Sequence, residues 1–208
     1  FDGADVAKNL DPKLVRASKW ANRSEASLAS KEFGSLKLEI EQSGGNVQPI
    51  KVRPLKGVAG EFEIVFGHRR HRACLELGLP VLALIDDVTD VDLFAQMDRE
   101  NRQRADLRPF EQGLMYAKAL DEGLFPSARK LSEALHVDLS NLGKSLSLAR
   151  LPADVLNAFS SPLDIQLRWA TDLTAALQKD PEIVLARAQQ VKKREEKTTP
   201  KTIFTTSP

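Results

Sequence analysis

Gly67, His68, Arg69, Arg70, His71 and Arg72 stand in a row within "EIVFGHRRHRACLELGLPVLALI", residues 63–85, between two apolar runs. The chemistry that such a row can do is anion binding. A helix starting at residue 68 offers free backbone N–H groups and the positive end of its dipole. Arginines in that first turn oppose the dipole, and a bound polyanion reverses the sign of that interaction. A guanidinium also grips phosphate oxygens two at a time, which an ammonium cannot do. A solvated, basic first turn has the same composition, so these residues alone leave both readings open.

A second constellation, "MDRENRQRADLRPFEQ", sets Glu100 beside Asn101, with Arg102, Arg104 and Arg108 following. A carboxylate next to an amide carbonyl is a hard-cation pair, and Mg²⁺ takes one or two such ligands together with phosphate oxygens. By itself the stretch also fits a charged helix end.

A third, "SARKLSEALHVDLSNLGKSLSLARLP", has the pattern of a helix-turn-helix. Leu131, Leu135, Val137, Leu142 and Leu146 are its expected buried positions, and Ser132 is the small residue of its first helix. Asp138 is placed to cap a second helix beginning at Leu139. His136 replaces the usual turn glycine, and His tolerates the left-handed region better than branched residues do. Ser140, Asn141, Lys144 and Ser145 are then expected to face a major groove, where Asn reads adenine and Lys reads guanine or holds phosphate. Arg129, Lys130 and Arg150 are candidate phosphate contacts. A plain helical hairpin uses the same apolar positions.

Other chemistry finds little support. His68, His71 and His136 are the only histidines, and none pairs with a cysteine at zinc spacing. No serine or cysteine sits near a histidine base, so a hydrolytic triad has nothing to build on. The phenylalanines are spread at core-like positions and form no base-stacking platform. A net charge of +1 gives no global field, so nucleic-acid binding must use local patches. The single Cys74 fits a reducing compartment. Without a membrane-length apolar run or a signal peptide, the chain reads as soluble and cytoplasmic, with no membrane partner. Starting at Phe1 and ending in "KTTPKTIFTTSP", it reads as a fragment of something longer.

The elements that must position these residues follow from periodicity. A helix is expected over 24–43, with Leu28, Phe33, Leu36 and Ile40 on one face and Gly44-Gly45 at its end. Strands "PIKVRPL" and "EFEIVFG" flank the loop "KGVAG" as a hairpin or close connection, then come helix 68–78 and strand "VLALID". Residues 1–23 read as polar and mixed. Beyond Asp86, helices are expected over 90–104, 109–122, 127–135, 139–149, 152–159, 164–178 and 181–196, with prolines near several starts. The fold class is therefore α+β: a small N-terminal α/β lobe followed by an all-α helix-turn-helix lobe. The expected boundaries are 1–88 for the first lobe, with motif contributions to about 108, and 89–160 for the helical domain with its helix-turn-helix at 127–150. A helical extension at 161–197 and a linker tail at 198–208 complete the division.

In their order, "GGNVQPIKVRP", "GHRRHRACLELGLP" and "RENRQRADLRPFEQ" resemble the ParB partition-protein family, over roughly residues 20–155. The wording is more similar to plasmid or secondary-chromosome members than to the main chromosomal type. The resemblance implies a ParB/sulfiredoxin-like lobe that binds CTP with Mg²⁺ and closes as a sliding clamp on DNA loaded at a palindromic, centromere-like site. It implies that Gly67, His68, Arg69 and Arg70 hold the triphosphate with Arg104, and that Glu100 and Asn101 hold the metal. Gln48 matches a glutamine implicated in slow CTP hydrolysis, and cytosine would be read by backbone groups near 46–52. His68 stands where Glu is common, and Arg102 where an apolar residue is usual. The family also implies a ParA-type ATPase partner, reached through a segment before Phe1, a C-terminal dimerisation domain after the tail, and association with the nucleoid or plasmid. Two rival readings remain: a site-specific transcriptional repressor without nucleotide switching, and a nucleotide-using phosphotransferase.

Overall fold

The computed structural model describes residues 6–21, 31–103 and 108–194. The chain forms two compact units, residues 1–103 and 104–208.

The first unit is built on a mixed five-stranded sheet of order β1-β5-β3-β4-β2. Its strands are β1 (Lys8–Leu10), β2 (Val15–Arg16), β3 (Ile50–Pro54), β4 (Phe62–Phe66) and β5 (Val81–Ile85). The two runs flanking "KGVAG" pair antiparallel, Val52 opposite Ile64, with a register shift at Lys51/Val52. β5 lies parallel to β3, Ile50 opposite Ala83. Helices α1 (Lys31–Ser43) and α2 (His68–Leu77) pack together, and Phe33, Ile40, Ile50, Val52, Ile64, Ala73, Cys74, Val81 and Ala83 share one core. Alternation along the strands sends Arg53 and Glu63 to the other side of the sheet. There the buried Arg53 guanidinium donates to Glu63 at 2.6 and 2.9 Å and to the Val88 carbonyl at 3.1 Å, and pairs with Asp90 at 2.6 Å. Helix α3 (Asp90–Arg102), capped by Thr89, packs on β4 and buries Leu93, Phe94 and Met97.

The second unit is all helical: α4 (Pro109–Asp121), α5 (Ala128–Leu135), α6 (Leu139–Ala149), α7 (Ala153–Leu156), α8 (Ala170–Lys179) and α9 (Pro181–Arg194). A core of Phe110, Leu148, Val155, Phe159, Ile165, Leu173 and Val184 runs through it.

The structure corrects the sequence reading in two places. Residues 1–23 contribute β1 and β2, because strands of three and two residues are too short to show alternation and take their pairing from β5 and β4. The helix expected over 164–178 is two 3₁₀ turns, Pro162–Asp164 and Leu167–Trp169, followed by α8. Ile165 and Gln166 are extended between them, which seats Ile165 in the core at 1% exposure. The first compact unit runs through Gln103 and includes α3. In the second, Ile165, Leu173, Val184 and Ala188 share a core with Leu148 of α6. Of the helix expected over 24–43, residues 31–43 are helical and 22–30 lie outside the described residues.

Candidate functional site

Gly67 is the pivot between β4 and α2. Its φ of 96° lies in the left-handed region, and a Cβ there would stand 2.6 Å from Ile50 Cγ2. Only glycine meets both conditions without strain. No side chain caps the helix at Gly67, so its first turn keeps N–H groups available to a ligand. Of the residues that follow, Arg72 donates to Glu76 at 2.7 Å, which spends its charge along the helix surface; Lys37, and then Arg72, hold the Glu76 carboxyl below its usual range. His71 is buried and donates Nε2–H to the Pro12 carbonyl at 2.8 Å, and burial lowers its pKa. Arg70 turns the other way, donating to the Gln48 side-chain carbonyl.

That contact closes one wall of a cleft of about 350 Å³ lined by Gln48, Phe66, Arg70, Gln96, Arg99, Glu100 and Gln103. The loop before β3, the exit of β4, the first turn of α2 and the last turns of α3 meet there. Three sequence-predicted residues, Gln48, Arg70 and Glu100, are thus brought to one place. Gly67, His68, Arg69 and Asn101 lie on neighbouring backbone and do not line the cleft. Arg69 Nε is buried with no hydrogen-bond partner among the described residues. Arg104 lies outside the described residues. Sequence reasoning missed Gln96, Arg99 and Gln103, although positions 96, 99, 100 and 103 have the spacing of one helix face. Arg102, the departure from the metal motif, donates to the fully buried Asp98 at 2.7 Å and so fastens the turn that carries Glu100.

In the second unit, α5 and α6 have the predicted geometry. Ser127 caps α5, and His136 ends it in the left-handed region at φ 52°. Ser132 Oγ donates to the Val137 carbonyl at 2.7 Å, which fixes the turn from inside. Asp138 caps α6 by accepting from the Asn141 N–H at 2.8 Å. Ser140 and Asn141 are exposed on the first turn of α6, and Lys144 is half-buried one turn on. Ser145 is a correction. It is 2% exposed and faces inward, where its backbone carbonyl lies against Gly113 of α4, so it cannot reach a groove. Arg129 is exposed, Lys130 pairs with Glu133 at 2.8 Å, and Arg150 pairs with Asp121 at 3.3 Å. Exposed pairs of this kind are weak and exchange readily for a phosphate.

The comparisons with known proteins agree with this layout. Residues 2–101 match the ParB N-terminal domain, and residues 108–181 match the centromere-binding protein helix-turn-helix domain. The chain belongs to the ParB family. A Rhizobium rhizogenes protein carrying the name replication protein B is 35% identical over 131 residues, covering 62% of this chain and 41% of its own length. The chromosome-partitioning protein ParB of Caulobacter vibrioides is 35% identical over 114 residues, covering 53% of this chain and 36% of its own length. The chain therefore spans about two-fifths of the length of these ParB relatives. The C-terminally truncated ParB of Caulobacter crescentus, solved complexed to the centromeric parS site, has a TM-score of 0.54 at 21% identity and covers 90% of this chain and 99% of that one. This likeness shows that the ParB fold extends across both units. No described helix is long and apolar enough to cross a membrane.

Proposed function

We propose that the cleft holds CTP with Mg²⁺, that α5 and α6 hold a centromere-like DNA site, and that nucleotide binding closes the protein into a sliding clamp. One observation carries the nucleotide half: Gln48, Arg70 and Glu100, far apart in sequence, line a single cleft beside an uncapped helix N-terminus. Its volume of about 350 Å³ falls within the range of small-ligand sites. Arg70 and Arg99 supply guanidinium groups for phosphate oxygens. Gly67 and His68 supply the backbone turn that faces the triphosphate, and Arg104 adds a further cation.

The donor set fits Mg²⁺, which takes one or two carboxylates and otherwise phosphate oxygens and water. Glu100, which lines the cleft, would hold the ion, with Asn101 as its neighbour on the same turn. When bound, Mg²⁺ neutralises triphosphate charge. Gln48 then orients a water toward the phosphates and supports slow hydrolysis.

On DNA, Ser140, Asn141 and Lys144 read base edges, while Arg129, Lys130 and Arg150 hold phosphates. A second copy of the chain and a ParA-type ATPase are the proposed protein partners, at the nucleoid or plasmid.

A split between two variants tests the assignment. Arg70→Ala is expected to weaken nucleotide binding at least tenfold, the worth of a charge-assisted hydrogen bond, and to leave DNA-site affinity unchanged. Lys144→Ala is expected to do the reverse. Loss of DNA affinity alone in both variants would make the arginine turn a DNA contact and favour the repressor.

A further inference from the structure

Asn46 lies in the loop between α1 and β3 and is 5% exposed. Its side-chain amide has two donors and two acceptor lone pairs. Nδ2 donates to the carbonyls of Gln48 and Leu82, both at 2.9 Å. Oδ1 accepts from the Leu82 N–H at 2.8 Å and from the Cys74 thiol at 3.5 Å. All four capacities are used inside the protein.

Two of these bonds fall on the same residue of β5. By giving to the Leu82 carbonyl and taking from the Leu82 N–H, the Asn46 side chain acts as one more rung of a strand ladder, just ahead of the point where Ile50 of β3 pairs with Ala83. A third bond ties the Gln48 carbonyl to this rung. The loop has weak local preferences of its own: Gly44 and Gly45 have φ of 70° and 155°, and Val47 is 75% exposed. Asn46 thus fixes the main chain from which the Gln48 side chain starts, and that side chain ends on Arg70.

We infer that Asn46 is the positioning residue of the cleft: it holds the Gln48 main chain against β5 so that the Gln48 amide meets Arg70 and sets the guanidinium for a triphosphate. The inference rests on the proposal that the cleft takes CTP. An anchored main chain and a guanidinium already held in place lose less freedom when an anion arrives. The Asn46 side chain does not line the cleft, and its one bond toward the cleft goes to Gln48. Its removal and the removal of Gln48 therefore have the same consequence and do not add.

A double-mutant cycle reads this directly. Asn46→Ala and Gln48→Ala are each expected to weaken CTP–Mg²⁺ binding about tenfold by calorimetry, with the double variant no weaker than either by more than about threefold. A double variant near the hundredfold product, or an Asn46→Ala protein that binds as the wild type does, would overturn the inference. Should Asn46→Ala fail to fold, Asn46→Asp keeps the shape but points a carboxylate at the carbonyls of Gln48 and Leu82. Its CTP affinity, relative to wild type at the same pH, is expected to recover between pH 7.5 and 5.5 as protonation restores one donor. A flat ratio would count against positioning.

In the nucleotide-free protein, NMR relaxation of the Gln48 side-chain amide is expected to show a rigid group in wild type and a mobile one in the Asn46 variant. Equal mobility would overturn the inference without any ligand. A wild type that binds no nucleotide, alongside an Asn46 variant that still releases Gln48, would sink the CTP proposal and leave the positioning role standing.

Discussion

Replacing Gly113 by alanine sets two physical effects against each other with opposite signs. Gly113 sits inside α4, where alanine is normally better by about 1 kcal/mol because glycine has more backbone freedom to lose. A Cβ at this position, however, would stand 2.0 Å from the Ser145 carbonyl oxygen, 2.7 Å from its carbon and 3.1 Å from Ala149 Cβ. An ordinary carbon–oxygen contact needs about 3.3 Å, so α4 and α6 would have to separate by roughly an ångström. The obstacle is backbone of a helix, not the end of a flexible side chain, and Leu142, Leu146 and Leu148 on α6 are buried in the same unit. Overpacking costs about 1–3 kcal/mol and here belongs at the upper end, which leaves a net loss of about 2 kcal/mol after the propensity gain. Gly34 in α1 and Gly143 in α6 are internal controls, since a Cβ there meets nothing within 4 Å. Alanine at either is expected to stabilise by about 0.5–1 kcal/mol. Amide hydrogen exchange of α4 and α6 reads the second unit alone, and gel-shift titration reads its DNA affinity. A Gly113→Ala protein whose α4 amides are protected more than wild type, as in Gly143→Ala, would refute the close helix approach.

Gly67→Ala combines a left-handed φ with the clash on Ile50, and is expected to destabilise the first unit by about 2–4 kcal/mol in urea unfolding; a change below about 1 kcal/mol would contradict the turn geometry. Burial works against the Arg53 charge, but hydrogen bonds and charges from Glu63 and Asp90 outweigh it and hold the guanidinium pKa above its usual value. Arg53→Met therefore strands the buried Glu63 carboxylate at a cost of about 3–5 kcal/mol, and a second change, Glu63→Leu, is expected to recover most of it; no recovery would mean the pair is not isolated from its surroundings. His71 has a folded pKa below the ordinary 6.5, because burial and nearby Arg72 oppose its charge. The unfolded chain thus takes up the proton first, and this contribution to stability is complete above pH 6.5 and falls as the pH drops below it. His71→Gln is expected to flatten the change in urea midpoint between pH 7.5 and 5.5, and an unaltered slope would remove His71 from the acid response.

Much of this architecture is legible in the residues themselves. Gly67 between an apolar run and an arginine row, Asp138 before Leu139 and His136 at a turn all carry local signals, because backbone conformation and capping are decided within a few residues. What is not legible depends on partners distant in sequence. β1 and β2 exist through pairing with β5 and β4, and Ser145 turns inward because Gly113 lets α4 approach. Asn46 reads as a polar loop residue until Leu82, Cys74 and Gln48 are seen around its amide. Arg99 shares a helix face with Glu100, so its place is legible in that spacing, whereas Asn101 next in sequence does not line the cleft.

The central claim is that one chain joins a nucleotide cleft to a DNA-reading helix pair. Its most direct test is calorimetric titration with CTP, ATP, GTP and UTP in Mg²⁺, with and without a centromere-like duplex selected from a random pool. The account predicts binding of CTP in preference to the other three, lost in Arg70→Ala. Folded protein that binds the duplex but none of the four nucleotides, with or without DNA, would contradict it.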